Sequence, residues 1–591
     1  MEASSGRWWG FKVLVCRRRF HAPTAIPAAV GDVYREMTIV EAPTPSSAQR
    51  PFSAAAALLR WTPATDAALV RWFNERAEQQ QGSVLDVDPA HFSPSASDLQ
   101  TKFVALAAIP AKPLLFRAAI IQKFNALLRR CLPWLDLGGG SEAGRKLGEL
   151  LRRNSHLVFA EIKQCILNGV RERTRGAGGA SKSIVLDNFL ASQSLSNGTT
   201  GIASSNSCFA QAFRELHFAD VTFLRSCWDG DRVFQVNFRG EHGSDAGGVF
   251  REGMSRCMED LYSGAIDLLA RTPNNRTEAG RGADKWLPNV DLAGAPLAHE
   301  MLCFVGKLMA MSGRTMLCLP FNFPRVVWRR LLRQPVTLED IEEVDEGTAS
   351  LLRRLQPYVE ASDQARNALR HGIDDDLHDE SRDRFEEAFA GALLWTAPRL
   401  NGNGVLPLRP GGEDLEVAFE EIGLFARALH GAVFSEVLPL IDEVARGFDM
   451  VLPLRALALH TCAEAEVVVC GRASFDMAWW RTHTNYAGYE DTDEVIQNFW
   501  CVVNAWGDEQ RSNFVRFAWG RSRLPPRESW YKDMQISRSN ISGGAEAIDS
   551  SLPMSHTCFF SVELPPYTSI EAMRRGLNIC ITYGLGGVLN T

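Results

Sequence analysis

The residue types best suited to covalent chemistry lie near the C-terminus, in LPMSHTCFFSVELPPYT at 552–568. A cysteine is nucleophilic as its thiolate, and a few per cent of an unperturbed thiol is ionised at neutral pH. Cys558 stands where the polar run Ser555, His556, Thr557 gives way to alternating residues. Cys558, Phe560, Val562 and Leu564 would face one side of an extended segment, with Phe559, Ser561 and Glu563 on the other. The pattern predicts a short strand with a reachable thiol at its entry. Hydroxyls and an imidazole beside the sulfur would favour the thiolate, which makes His556 and Thr557 candidates to orient or polarise the site. Local loop hydrogen bonding is the competing role for both, and a small buried hydrophobe is the competing reading of the cysteine.

The elements around this segment would hold it in place. Pro565 and Pro566 stop the strand, and Thr568 with Glu571 fits a capping box. Ile570, Met573, Leu577 and Ile581 then recur at helical spacing, predicting a helix that backs the strand. Upstream, 463–470 reads as helix turning to strand, and Gly471 opens a short permissive stretch, 471–473, that we take as a hinge.

Further toward the N-terminus the chain changes character. The first 55 residues mix proline, alanine and serine without a period and are expected to be disordered. Arg7, Arg17, Arg18 and Arg19 there suit a weak organelle address or a frayed tail. Between 56 and 185 the pattern is all helical, with helices predicted at 66–80, 113–131 and 144–173. The second carries Phe116, Ile120, Phe124, Leu127, Leu128 and Cys131 as its apolar stripe. A strand at 233–238, a glycine-rich turn at 240–248 and a helix at 250–261 follow. Glu241 and Asp245 put negative charge where a phosphate would sit, so nucleotide binding is the weaker reading of that turn. Helices are also predicted within 303–332 and 415–448, and the acids at 374–380 read as a solvated loop. His371 and His378 beside those acids lack recurrent ligand spacing, and His460, Cys462 and Cys470 lack a fourth ligand; neither a metal nor another cofactor is expected.

Composition bounds the function. The chain has 591 residues, 46% hydrophobic and 23% charged, enough for about three or four domains. A net charge of -7 argues against a general nucleic-acid binder. The most apolar long window, 103–121, is interrupted by Pro110, Lys112, Pro113 and Arg117, so no membrane span is expected. Thirteen cysteines without paired spacing suit a reducing compartment, and we expect a cytoplasmic location, with the nucleus also open.

Several motifs in order resemble the HECT family of ubiquitin ligases. The 552–568 segment resembles that family's active-site pattern of Leu-Pro, a polar spacer, Thr-Cys-Phe and a strand ending in Leu-Pro and tyrosine. Phe238, Gly240, Glu241, Gly243, Asp245, Gly247, Gly248, Arg251 and Glu252 match its N-lobe segment, while 268–276 and 303–332 resemble the large HERC-type branch. Residues 483–489 and 498–525 resemble the C-lobe.

The resemblance implies an α+β fold: a bilobal HECT domain, mostly helical in its N-lobe (204–470), with a smaller α/β C-lobe (474–591) and the hinge at 471–473 between them, preceded by the all-helical region. It further implies a ubiquitin-protein transferase in which Cys558 accepts ubiquitin from a charged conjugating enzyme as a thioester and passes it to a lysine of a protein substrate. The tail departs from the family pattern. It ends YGLGGVLNT, with glycine where a docking phenylalanine would align. Three other readings of the residues stay open: a cysteine hydrolase, a silent scaffold that binds charged partners, and a nucleotide-dependent enzyme.

Overall fold

The structure is a computed structural model that describes residues 62–584 except 81, 93, 133, 134, 136, 138–141, 177–181, 227–231, 241–247, 372–378, 390–392, 526–529, 531 and 558. The expected N-terminal disorder, most of the glycine-rich turn and of the acidic loop, the C-terminal tail and Cys558 itself lie outside the described residues. The chain divides into two compact units, one formed by 1–173 with Leu454–Thr461, the other by Thr174–Pro453 and Cys462–Thr591.

The first unit is built of helices α1 (Pro63–Gln80), α2 (Ala111–Cys131), α3 (Glu142–Arg153) and α4 (Ala160–Arg173), with short helical turns between. The run expected at 144–173 is thus two helices. Asn125 on α2 explains the break: its Nδ2 donates to the Leu157 carbonyl and its Oδ1 accepts from the Phe159 amide, both at 2.8 Å, satisfying backbone that a continuous helix would have used itself. The stripe expected on α2 is also rotated. Phe116 is exposed, and the buried face carries Leu114, Ile121, Phe124, Leu128 and Cys131 together with Arg117. Arg117 turns inward because Asp66, fully buried at the start of α1, receives its Nε at 2.8 Å and its Nη2 at 2.6 Å. A paired, hydrogen-bonded charge can be buried where a lone one cannot.

The second unit opens with strand β1 (Ser183–Leu186), which pairs in parallel with β2 (Gln235–Phe238) ahead of helix α5 (Gly248–Tyr262). Its central packing is α6 (Pro296–Thr315) against α7 (Leu438–Val451). A Cβ on Gly306 would lie 1.9 Å from the Val444 carbonyl oxygen, and one on Gly447 would lie 1.8 Å from that of Cys303. Two facing glycines therefore let the helix backbones touch, and no larger residue fits either position. Segment 463–470 does not turn into a strand. It is helix α8 (Cys462–Cys470) to its end, despite Val467, Val468 and Val469. Packing decides: Val468, Val469 and Cys470 are buried, and Ser312 of α6 donates to the Val469 carbonyl at 2.7 Å.

Residues 475–581 have a core of their own. Strands β3 (Thr484–Ala487), β4 (Met534–Arg538), β5 (Met554–His556) and β6 (Ser561–Leu564) form one sheet in the order β3-β4-β6-β5, with β5 antiparallel to β6 and the other pairs parallel. Helices α9 (Glu494–Ala505), α10 (Asp508–Trp519) and α11 (Ile570–Tyr583) supply Phe499, Trp500, Phe514, Trp519, Met573 and Leu577 to the same core. This mix of helices and small sheets is the α+β class.

The capping box expected on Thr568 is displaced by one residue. Asp549 takes the Thr568 amide at 2.8 Å as well as its hydroxyl, so the cap of α11 falls to Ser569, whose Oγ accepts from the Ala572 amide at 3.2 Å. Ser569→Ala is expected to lower stability by about 1 kcal/mol, and Glu571→Ala by less than half as much. Chemical denaturation of the two variants side by side checks this; equal losses would restore the box centred on Thr568.

Candidate functional site

Strand β5 ends at His556, and β6 starts at Ser561. The Phe559 amide donates to the His556 carbonyl at 2.9 Å and so closes a tight turn; in sequence Cys558 falls between its described neighbours Thr557 and Phe559. The strand is shorter than the alternation predicts because Phe560 leaves the extended region, with a φ of +50°. Such a backbone is uncommon for a side chain with a Cβ, and its strain must be offset locally. The offset is a stack. The Phe560 ring lies 4.1 Å from that of Trp519 at 7°, both fully buried, and the Arg521 guanidinium sits 4.2 Å from the Trp519 ring. The Phe560 carbonyl also accepts from the Gln535 amide of β4 at 2.9 Å. Phe559, by contrast, is 65% exposed.

The two expected orienting residues have separate partners. His556 is exposed and its Nε2 lies 2.9 Å from Glu563 Oε1, a bond across β5 and β6. The Thr557 carbonyl accepts from Arg251 Nη1 at 3.0 Å, from helix α5. Neither the arginine contact nor the Trp519–Phe560 stack was foreseen. Arg251 and Thr557 are 306 positions apart, a separation that residue period cannot bridge. Behind the turn, α11 closes the core, with Tyr567 donating to the Ser551 carbonyl at 2.7 Å and Tyr489 to that of Leu564 at 3.0 Å.

Three of the buried thiols are chemically quiet. Burial pushes Cys208 and Cys470 up to about 12 and Cys580 to about 11, so each stays protonated at neutral pH.

Gly471 follows α8 with a φ of +73°. The neighbouring Arg472 amide donates to the Leu524 carbonyl at 2.8 Å, Arg521 Nη1 reaches the Met316 carbonyl at 2.5 Å and Arg523 Nη2 the Asn322 side chain at 3.3 Å. Every one of these contacts is polar. Among the described residues, one trio of ligand-type atoms, from His217, Glu300 and Cys303, lies within 4.8 Å. It is already engaged: His217 pairs with Glu300 at 2.8 Å, Arg446 lies 3.3 Å from Glu300, and Lys307 donates to the His217 carbonyl at 2.6 Å. The arginine and lysine charges disfavour a cation there.

Residues 263–589 match the model of the HECT-domain (ubiquitin-transferase) family. The chain is 26% identical over 508 residues to the human (Homo sapiens) E3 ubiquitin-protein ligase HERC2, covering 84% of this chain and 10% of that protein. It is 25% identical over 559 residues to the human probable E3 ubiquitin-protein ligase HECTD4, covering 89% and 13%. To E3 ubiquitin-protein ligase RSP5 of Emericella nidulans it is 27% identical over 388 residues, covering 64% and 42%. The chain thus spans about a tenth of the two human relatives and under half of the fungal one.

Proposed function

The chain belongs to the HECT-domain (ubiquitin-transferase) family, and on that premise we propose that it is an E3 ubiquitin-protein ligase working through a thioester on Cys558. Its partners are a ubiquitin-charged conjugating enzyme, ubiquitin and a protein substrate, and we place it in the cytoplasm. In the first step the Cys558 thiolate attacks the carbonyl carbon of the donor thioester, a new C–S bond forms, and the conjugating enzyme's thiolate leaves. In the second a substrate lysine amine attacks the Cys558 thioester, Cys558 leaves as thiolate, and the amine loses a proton as the amide forms. Thioester exchange is nearly balanced in energy, so positioning dominates the rate.

The observation that carries this reading is the family match over 263–589, a span that includes the Thr-Cys-Phe segment. The hydrogen bond from the Phe559 amide to the His556 carbonyl supports this reading by closing a turn on either side of that cysteine in sequence. We assign 204–470 to the N-lobe, 471–473 to the hinge and 474–591 to the C-lobe, with no cofactor or metal in the reaction. His556 and Thr557 then serve the frame of the turn: the imidazole is occupied by Glu563 and the Thr557 carbonyl by Arg251.

The test is a single-turnover reaction with a panel of charged conjugating enzymes, read on a non-reducing gel. An adduct of this chain with ubiquitin that disappears on reduction is the expected result; no adduct with any of the panel overturns the reading. In the same assay His556→Gln is expected to slow adduct formation less than about fivefold, because an exposed side-chain hydrogen bond contributes ~1 kcal/mol or less. A loss of a hundredfold would show that the imidazole takes part in the chemistry.

A further inference from the structure

Two phenylalanines follow Cys558 in sequence, and the fold uses only one of them for packing. Phe560 is fully buried against Trp519, while the Phe559 ring is 65% exposed. A single exposed apolar side chain needs no explanation by itself. This ring has a charged neighbour: Lys532 Nζ lies over it, 5.4 Å from its centroid, within the range at which a cation is attracted to an aromatic face. Both partners are held in place. The Phe559 amide is tied to the His556 carbonyl at 2.9 Å, and Lys532 leads into β4, which starts at Met534 and pairs Gln535 with Ser561 of β6. Just ahead of that strand, Trp530 Nε1 donates to Asp533 Oδ1 at 2.9 Å. The ring that follows the nucleophile in sequence thus already carries a lysine ammonium, and that lysine is the chain's own.

We propose that the exposed Phe559 face is the subsite that receives the acceptor lysine, with Lys532 as the resident occupant that an incoming side chain displaces. The inference rests on the ligase reading. The ligand class is a primary ammonium on a flexible apolar stem: the charge is drawn to the ring, and the methylenes cover its apolar edge. A serine or threonine hydroxyl brings no charge to bind, and an α-amine has no stem to reach with. Because the attraction depends on charge, the ring holds the ammonium and releases the neutral amine, the form that reacts. In that step the ammonium gives one proton to water and its nitrogen bonds to the thioester carbonyl carbon. The C–S bond breaks, Cys558 leaves as thiolate, and the nitrogen loses a second proton as the amide forms. Holding the reactant one residue from the nucleophile raises its local concentration, a gain that needs no further chemical group.

The experiment loads the full chain with ubiquitin, removes the conjugating enzyme, and measures second-order rates of discharge to Nα-acetyl-lysine and to hydroxylamine, which is small and uncharged at neutral pH. The ratio of the first rate to the second reads the subsite, because a structural disturbance of the turn moves both rates together. Phe559→Leu is expected to lower the ratio about two- to fivefold, the worth of a cation over an exposed ring, and Phe559→Trp to raise it. Lys532→Met is expected to raise it by removing the competitor, and to lose that effect when combined with Phe559→Leu. An unchanged ratio in Phe559→Leu overturns the proposal, as does a Lys532→Met effect that persists without the ring. Phe559 is exposed enough to substitute without unfolding. Absence of any adduct in the wild type sinks the ligase reading and this inference with it; normal loading with an unchanged ratio sinks the inference alone.

Discussion

Cys558→Ala is expected to abolish the ubiquitin adduct, with transfer falling by at least about a thousandfold, while the folded chain stays intact. Cys558→Ser is the more informative partner. A serine hydroxyl is a far weaker nucleophile than a thiolate, but any ester it forms resists thiol reductants and yields to mild base. A slow, reductant-resistant adduct in the serine variant would fix the bond to this side chain. The quiet thiols sharpen the result: burial keeps Cys208, Cys470 and Cys580 protonated, so they do not offer a substitute nucleophile. A reducible adduct surviving in Cys558→Ala would move the chemistry to another residue.

Phe560→Ala is expected to destabilise the core formed by 475–581 by about 3–5 kcal/mol, the usual loss for emptying a fully buried aromatic site. The ring's stack on Trp519 is the main interaction opposing the strain of the +50° backbone. Alanine removes the stack and keeps a Cβ in that unfavourable region; glycine removes the stack and the strain together. Phe560→Gly should therefore be no less stable than Phe560→Ala, the reverse of the order seen in ordinary strands. Hydrogen exchange across 554–581 in rising urea measures both. A glycine variant clearly weaker than the alanine one would mean that the turn relaxes once the ring is gone, and that the backbone is not strained in the native protein.

Much of the scaffold was legible in the sequence, and the failures have physical causes. Met573, Leu577 and Ile581 form the inward face of α11, as their spacing requires, because nothing polar competes for that face. The stripe on α2 was misplaced because Asp66, on another helix, supplies a partner that draws Arg117 inward and leaves Phe116 outside. Segment 463–470 reads in sequence as helix turning to strand, yet contact with α6 keeps it helical to its end. At the site, Cys558 and its polar neighbours were visible as a motif, and Phe560 as a core residue. Its left-handed backbone was not visible, since nothing in the residue type asks for it. Nor was the contact made by Arg251, a residue visible only as part of a motif, because its partner is a main-chain carbonyl and so leaves no mark in the sequence at 557.

The helical unit is not simply an N-terminal domain. Leu454–Thr461 belongs to it while the chain on either side belongs to the other unit, and Ala458 and Leu459 are buried in the helical core. A chain shortened to begin after Arg173 would carry an orphaned apolar tongue just ahead of α8, exposed to water and open to self-association. Domain grafting that keeps the two pieces together escapes this defect; clean truncation creates it.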